Sequence, residues 1–164
     1  MPRGRADIAN TAVRILLHDM GVAYDEERGL EPFKKTKHFG EVKAFFGEKC
    51  CYCGTDFSPA DPAVEDHLVP TNRTDLGLHA WGNIVPACRT CNAEKQGSDW
   101  RDFIIQRAGT AGPERHGRMR AFLEQYRYEP SVDLRAVAAE LYDEVGEISM
   151  TLIRTKIKRL RAAL

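Results

Sequence analysis

Long apolar runs are missing from this sequence. None could span the roughly 30 Å hydrocarbon layer of a bilayer, and no apolar run near Met1 resembles a secretion signal. A cytoplasmic protein without membrane contact is therefore expected. Net charge is missing as well: Lys plus Arg and Asp plus Glu each total 24. Many nucleic-acid binders are basic overall, so this balance disfavours a strong non-specific binder and leaves room only for a local basic surface. Internal repeats and low-complexity tracts are absent, which excludes a repeat array. Paired cysteines in secretory style are absent too. The count of five is odd, and without a secretion signal it argues against a disulfide framework.

What is present suits one compact domain, or one small domain with helical additions. The chain has 164 residues, 43% of them hydrophobic and 29% charged. Three stretches differ in character: 1–47, 48–100 and 101–164. In the first, Ile8, Ala12, Ile15, Leu16 and Met20 have helical spacing, with Gly21 as the expected C-cap. Tyr24-Asp-Glu-Glu-Arg-Gly reads as a turn, and Lys34, Lys35 and Lys37 as a solvated basic loop. The middle stretch is rich in Gly, Pro, Asn and Asp and predicts loops and short strands, with a helix opening at Cys91-Asn-Ala-Glu-Lys. The third predicts helices. One begins at an N-cap Ser98 with Asp99 and Asp102 in its first turn. A second runs from Pro113 to about Tyr128. A third carries Leu134, Val137, Leu141, Val145, Ile148 and Leu152, then Ile153, Ile157, Leu160 and Leu164, with a break at Gly146. Its basic end (Arg154, Lys156, Lys158, Arg159, Arg161) suits either the helix dipole or a phosphate backbone.

Four cysteines pair into two C-x-x-C turns, Cys50/Cys53 and Cys88/Cys91. Each turn offers two sulfurs from a tight knuckle, and zinc favours four thiolates in a tetrahedron. With no open position the metal would be structural, holding together a loop-rich segment that lacks the apolar residues to fold alone. Gly54, just after the first knuckle, fits a backbone position with positive φ. Cys51 is expected to be a packed bystander. A redox pair would not need the second knuckle.

Between and after the knuckles lie Glu65-Asp-His-Leu-Val-Pro70, Gly82-Asn-Ile-Val-Pro-Ala-Cys88 and Cys91-Asn-Ala-Glu-Lys95. With Cys50-Cys-Tyr-Cys-Gly54, and in this order, they resemble the HNH nuclease family in its zinc-knuckle form. The pieces cover about a third of the chain; the flanking helices are outside them. The resemblance implies an α+β fold: a ββα-metal HNH core with the four-cysteine zinc site, flanked by N-terminal and C-terminal helices. It implies Asp66 and His67 at the end of the first strand, Asn83 opening the second, and Asn92 on the first helical turn. It also implies a divalent-metal-dependent DNA endonuclease, RNA not being excluded, with a place in restriction, other phage defence, or a mobile element.

The chemistry of those residue types agrees. A neutral imidazole can take a proton from water, which fits His67 as general base. A hard cation prefers oxygen ligands, which Asp66 and Asn92 supply. The family's middle asparagine braces the loop that orients the base, a role carried to Asn83. Its final histidine is replaced here by Asn92, which favours Mg2+ or Mn2+ over a histidine-loving ion. Lys95, Arg89, His79 and Arg73 are weaker candidates for nucleic-acid contact, each with a surface or structural role as the alternative. Trp81 is expected to pack against the zinc lobe, and His18, His38 and His116 have no constellation around them. The long C-terminal stripe would either pack on the N-terminal helix or join a second copy or a partner protein. A zinc-ribbon module without catalysis is the competing reading, but it would have no need for Asp66, His67 and Asn92 together. A zinc hydrolase of small molecules would need an open zinc site, which four thiolates do not leave.

Overall fold

A computed structural model describes residues 4–161. Helices α1 (Arg5–Glu27) and α2 (Lys35–Phe45) precede a two-stranded antiparallel sheet of β1 (Val64–His67) and β2 (Ile84–Ala87). The helices α3 (Arg89–Lys95), α4 (Trp100–Ala108), α5 (Gly112–Tyr126) and α6 (Arg135–Arg161) follow. The fold is therefore mixed, mostly helical with one small sheet, and the unit β1–β2–α3 forms its middle.

The hairpin pairs Val64 with Ala87, Glu65 with Pro86, Asp66 with Val85 and His67 with Ile84. Every residue of β2 is buried, because α2 covers it from one side and β1 pairs with it. That explains an unbroken apolar strand where an alternating one would be expected of a half-exposed hairpin. One apolar cluster joins α2 (Phe39, Val42), both knuckles, the hairpin, α4 (Phe103, Ile104) and α5 (Met119, Phe122, Tyr126). A second, smaller cluster seats α1 (Val13, Leu17), Leu134 just before α6 and Ala138 of α6 against Leu78 and Ala80 from the loop before β2.

Several local expectations are corrected. Helix α1 does not stop at Gly21 but runs on through Tyr24 to Glu27 and ends before Gly29, whose φ is +72°. Gly21 sits mid-helix because the backbone of His79 comes so close that any Cβ there would overlap the His79 carbonyl. Gly21→Ala is accordingly expected to destabilise the protein by about 1–3 kcal/mol, the usual range for overpacking. A chemical denaturation curve would show it, and an unchanged midpoint would mean the loop yields freely.

The lysine cluster is not a loop. Lys34 is the N-cap of α2, Lys35 reaches Glu65 and Lys37 pairs with Glu31, while His38, Phe39 and Val42 face the core. Asp99, not Ser98, caps α4 by accepting from the Arg101 N–H at 2.8 Å. Helix α5 ends at Tyr126, with Arg127 in the left-handed region at φ 45°. Helix α6 is unbroken at Gly146, against which Arg5 of α1 packs. The apolar stripe divides: Leu134 and Ala138 are buried with α1, while Val137, Ile148, Leu152, Ile153, Ile157 and Leu160 are exposed. Leu164 lies outside the described residues. No helix among the described residues is long and apolar enough to cross a membrane.

Candidate active site

The two knuckles are built by local hydrogen bonds. The Gly54 N–H donates to the Cys50 carbonyl at 3.0 Å, and the Cys50 N–H to Thr55 at 2.9 Å. The turn closes with Gly54 at φ +80°, as its position after the knuckle predicted. The second knuckle overlaps a helix start: Cys88 is the N-cap of α3, and its sulfur accepts from the Cys91 N–H at 3.4 Å. The Cys51 N–H donates to Pro86 of β2 at 2.9 Å and ties the knuckles together through the hairpin. Its thiol is buried and outside the cluster.

The four sulfurs of Cys50, Cys53, Cys88 and Cys91 lie within 4.8 Å of one another, with Cys53 and Cys88 3.9 Å apart. Four thiolates around one zinc at 2.3 Å would stand about 3.8 Å apart. The donor set and its spacing therefore fit a structural zinc ion. The hydrogen bond from the Cys91 thiol lowers the pKa of the Cys50 thiol from its ordinary value.

Directly beyond the hairpin, a cleft of about 400 Å³ is lined by Arg14, His18, Asp66, His67, Pro70, Thr71, His79 and Gln96. Asp66 and His67 are neighbours on a strand, whose side chains should point to opposite faces. They share the cleft because β1 ends at His67 and the chain turns off toward Pro70. Asp66 is buried, and its Oδ2 accepts from the Tyr52 hydroxyl at 2.5 Å and faces the Lys95 ammonium at 3.4 Å. Burial raises its pKa, and the Lys95 charge opposes that shift. Burial likewise holds His67 down at about 3 and His79 down at about 4, so both imidazoles are neutral near pH 7.

Asn83 is fully buried behind the cleft and not on its wall. Its Oδ1 accepts from the Val69 N–H at 2.8 Å, while its Nδ2 donates to the Val69 carbonyl at 3.0 Å and the Leu78 carbonyl at 2.8 Å. All of its polar capacity goes into fixing the loop between His67 and β2. Asn92 is half-buried on α3, one turn before Lys95, and is not among the cleft-lining residues. Lys95 is neither a surface lysine nor free to reach a phosphate. It is fully buried, and its ammonium donates to the His67 carbonyl at 2.8 Å. Arg73 lies over the Tyr142 ring of α6 at 4.4 Å, and the Arg89 N–H donates to Asp61 at 3.4 Å at the start of α3. Neither arginine lines the cleft.

Four residues escaped sequence reasoning. Tyr52, inside the first knuckle, supplies the hydroxyl on Asp66. Arg14 and His18, one turn apart on α1, form a wall of the cleft. Asp25 of α1 is completely buried and accepts from the Phe33 and Trp81 N–H groups at 3.0 and 3.2 Å. It also pairs with Arg28, which in turn donates to the Tyr126 carbonyl. Asp25 thus anchors α1, the entry to α2 and the loop before β2 to one carboxylate. Trp81 packs in the main cluster as expected, between Phe33 and Tyr126. Only the C-x-Y-C spacing hinted at Tyr52; nothing local marked the other three.

The hairpin ending in an Asp-His pair, the helix that follows it and the paired knuckles lie in one continuous stretch of chain. Residues 50–97 match the HNH endonuclease family model. Neither curated proteins nor solved structures give a match to the chain. The matched segment points to a nuclease or nucleic-acid-related function. It contains all four clustered cysteines, Asp66, His67, Asn83 and Asn92, whereas Arg14 and His18 reach the same cleft from outside it.

Proposed function

We propose that the cleft is the active site of a divalent-metal-dependent DNA endonuclease, carried by residues 48–100 and completed by the helices on either side. The observation that supports it most is the pairing of a neutral histidine with a carboxylate in an open cleft of an HNH segment. In this reading His67 takes a proton from water, the hydroxide attacks phosphorus, and the bond to the 3′ oxygen breaks. Asp66 would hold Mg2+ or Mn2+ as a hard cation that keeps most of its waters; Asn92, the companion ligand expected from the sequence, does not line the cleft. When bound, that cation supplies charge neutralisation at the phosphate and the departing oxygen. Arg14 at the cleft mouth adds positive charge toward the substrate backbone. Tyr52 and Lys95 hold Asp66 in place from behind. The zinc in the four-thiolate site stays remote from chemistry, as a closed site should.

A zinc-ribbon binding module explains the cysteines but not a cleft with Asp66 and His67 side by side. Supercoiled plasmid and single-stranded RNA, incubated with zinc-loaded protein in Mg2+, Mn2+ or no added cation, separate the readings. Cleavage of DNA only with Mg2+ or Mn2+ is expected. Withholding the cation, rather than adding a chelator, keeps the zinc in place. Binding without cleavage under every condition would leave the ribbon reading standing.

A further inference from the structure

His67 and His79 meet ring to ring, with His67 Nε2 3.1 Å from His79 Nδ1. At that distance a single hydrogen bond joins the rings, one nitrogen donating and the other accepting. The direction decides what His67 can do. If its Nε2–H donates, its Nδ1 keeps a free lone pair. If His79 donates, the proton of His67 sits on Nδ1 and no lone pair is left for a reaction.

We infer that His79 is a positioning residue for the proposed hydrolysis: its Nδ1 accepts the Nε2–H of His67, which makes Nδ1 of His67 the atom that takes the water's proton. The inference rests on the reading of His67 as the base. The protons balance. Water gives one to Nδ1, the resulting hydroxide goes to phosphorus, and the Nε2 proton of His67 stays against the His79 lone pair throughout. The imidazolium formed in the reaction thus donates to an acceptor already in place.

His79 is held for such a task from three sides. Its N–H donates to the Leu17 carbonyl of α1 at 3.4 Å, and its backbone lies against Gly21. Its ring stacks on His18 at 4.7 Å and meets Phe33 edge-on at 5.5 Å. The Asn83 carboxamide grips Val69, two residues after His67, and Leu78, one residue before His79. One buried amide therefore sets the separation of the two histidines. A ring needed only to fill space would not have to present a nitrogen to His67.

The test uses His79→Phe, which keeps the ring's bulk, and His79→Asn, whose amide oxygen can stand where Nδ1 stands. Side-chain nitrogen NMR of the zinc-loaded wild type should show His67 protonated at Nε2. His79→Phe should lose that preference and slow kcat about tenfold or more with KM unchanged. His79→Asn should keep the tautomer and recover most of kcat, although both variants alter packing. The inference is overturned by a wild-type His67 protonated at Nδ1, by His79→Phe cutting as fast as wild type, or by His79→Asn failing to recover kcat while folded. A wild type that cuts nothing sinks the nuclease reading instead, and the NMR spectrum still decides the tautomer.

Discussion

Replacing Cys88 with serine is expected to unfold the middle of the protein, not merely to slow it. Cys88 contributes a sulfur to the four-thiolate cluster and is also the N-cap of α3. Serine can keep the cap but is a poor zinc ligand. Structural zinc binding is worth about 10–16 kcal/mol to a small domain at neutral pH. Whole domains are stable by only about 5–15 kcal/mol, so losing the zinc removes as much as the whole net stability. The consequence reaches past the knuckles, because Cys50, Cys88 and Cys91 share one apolar cluster with β2, α4 and α5. Metal analysis should find about one zinc per wild-type chain and far less in the variant. Circular dichroism on heating should show the cooperative transition lost. Cys51→Ser is the control: its thiol is buried but outside the cluster. It should cost about 1–3 kcal/mol for a buried hydroxyl and leave the zinc content unchanged. A Cys88→Ser protein that melts like wild type would remove the staple from the account of the fold.

The same contrast between local and distant signals explains what the sequence made legible. The knuckles, the Asp-His strand end and Asn83 could be read because each works within a few residues of its neighbours, so spacing carries the information. The stripe of α6 was legible for the same reason, as a period. Gly21 was misread because its chain-local meaning, a helix stop, lost to a tertiary one, the close approach of the His79 loop. Lys34, Lys35 and Lys37 looked like a solvated run, yet two of them open a helix whose other face covers β2. Lys95 carries no mark of burial at all. Its ammonium is enclosed only because β1 brings the His67 carbonyl and the Asp66 carboxylate to it. His18 and His79 stand 61 positions apart, and Asp25 and Trp81 stand 56 apart. No periodicity connects such pairs. The Asp-His pair that lines the cleft was therefore readable, and the cleft's other walls were not.

His67→Ala should reduce kcat by about 10²- to 10⁴-fold, the range for loss of a general base, or roughly 3–5 kcal/mol of barrier. The fold should survive, because the side chain's polar contact is with His79 alone, while the backbone supplies the carbonyl that accepts from Lys95 and the strand pairing with Ile84. Alanine keeps both. The pH profile adds a second, independent check. Burial, assisted by His79, Lys95 and His18, lowers the His67 pKa from 6.5 to about 3. The base is competent when neutral, so on kcat/KM, which reports the free enzyme, the acid limb should fall well below pH 6.5. A cation at Asp66 would push it further the same way. A bound phosphate acts oppositely, since its negative charge favours the imidazolium, so the limb of kcat should lie higher than that of kcat/KM. A variant that cuts within a few-fold of wild type, or a kcat/KM limb at 6.5 that persists in His67→Ala, would place the base on another residue. Among the cleft-lining residues His18 and His79 would then be the next candidates.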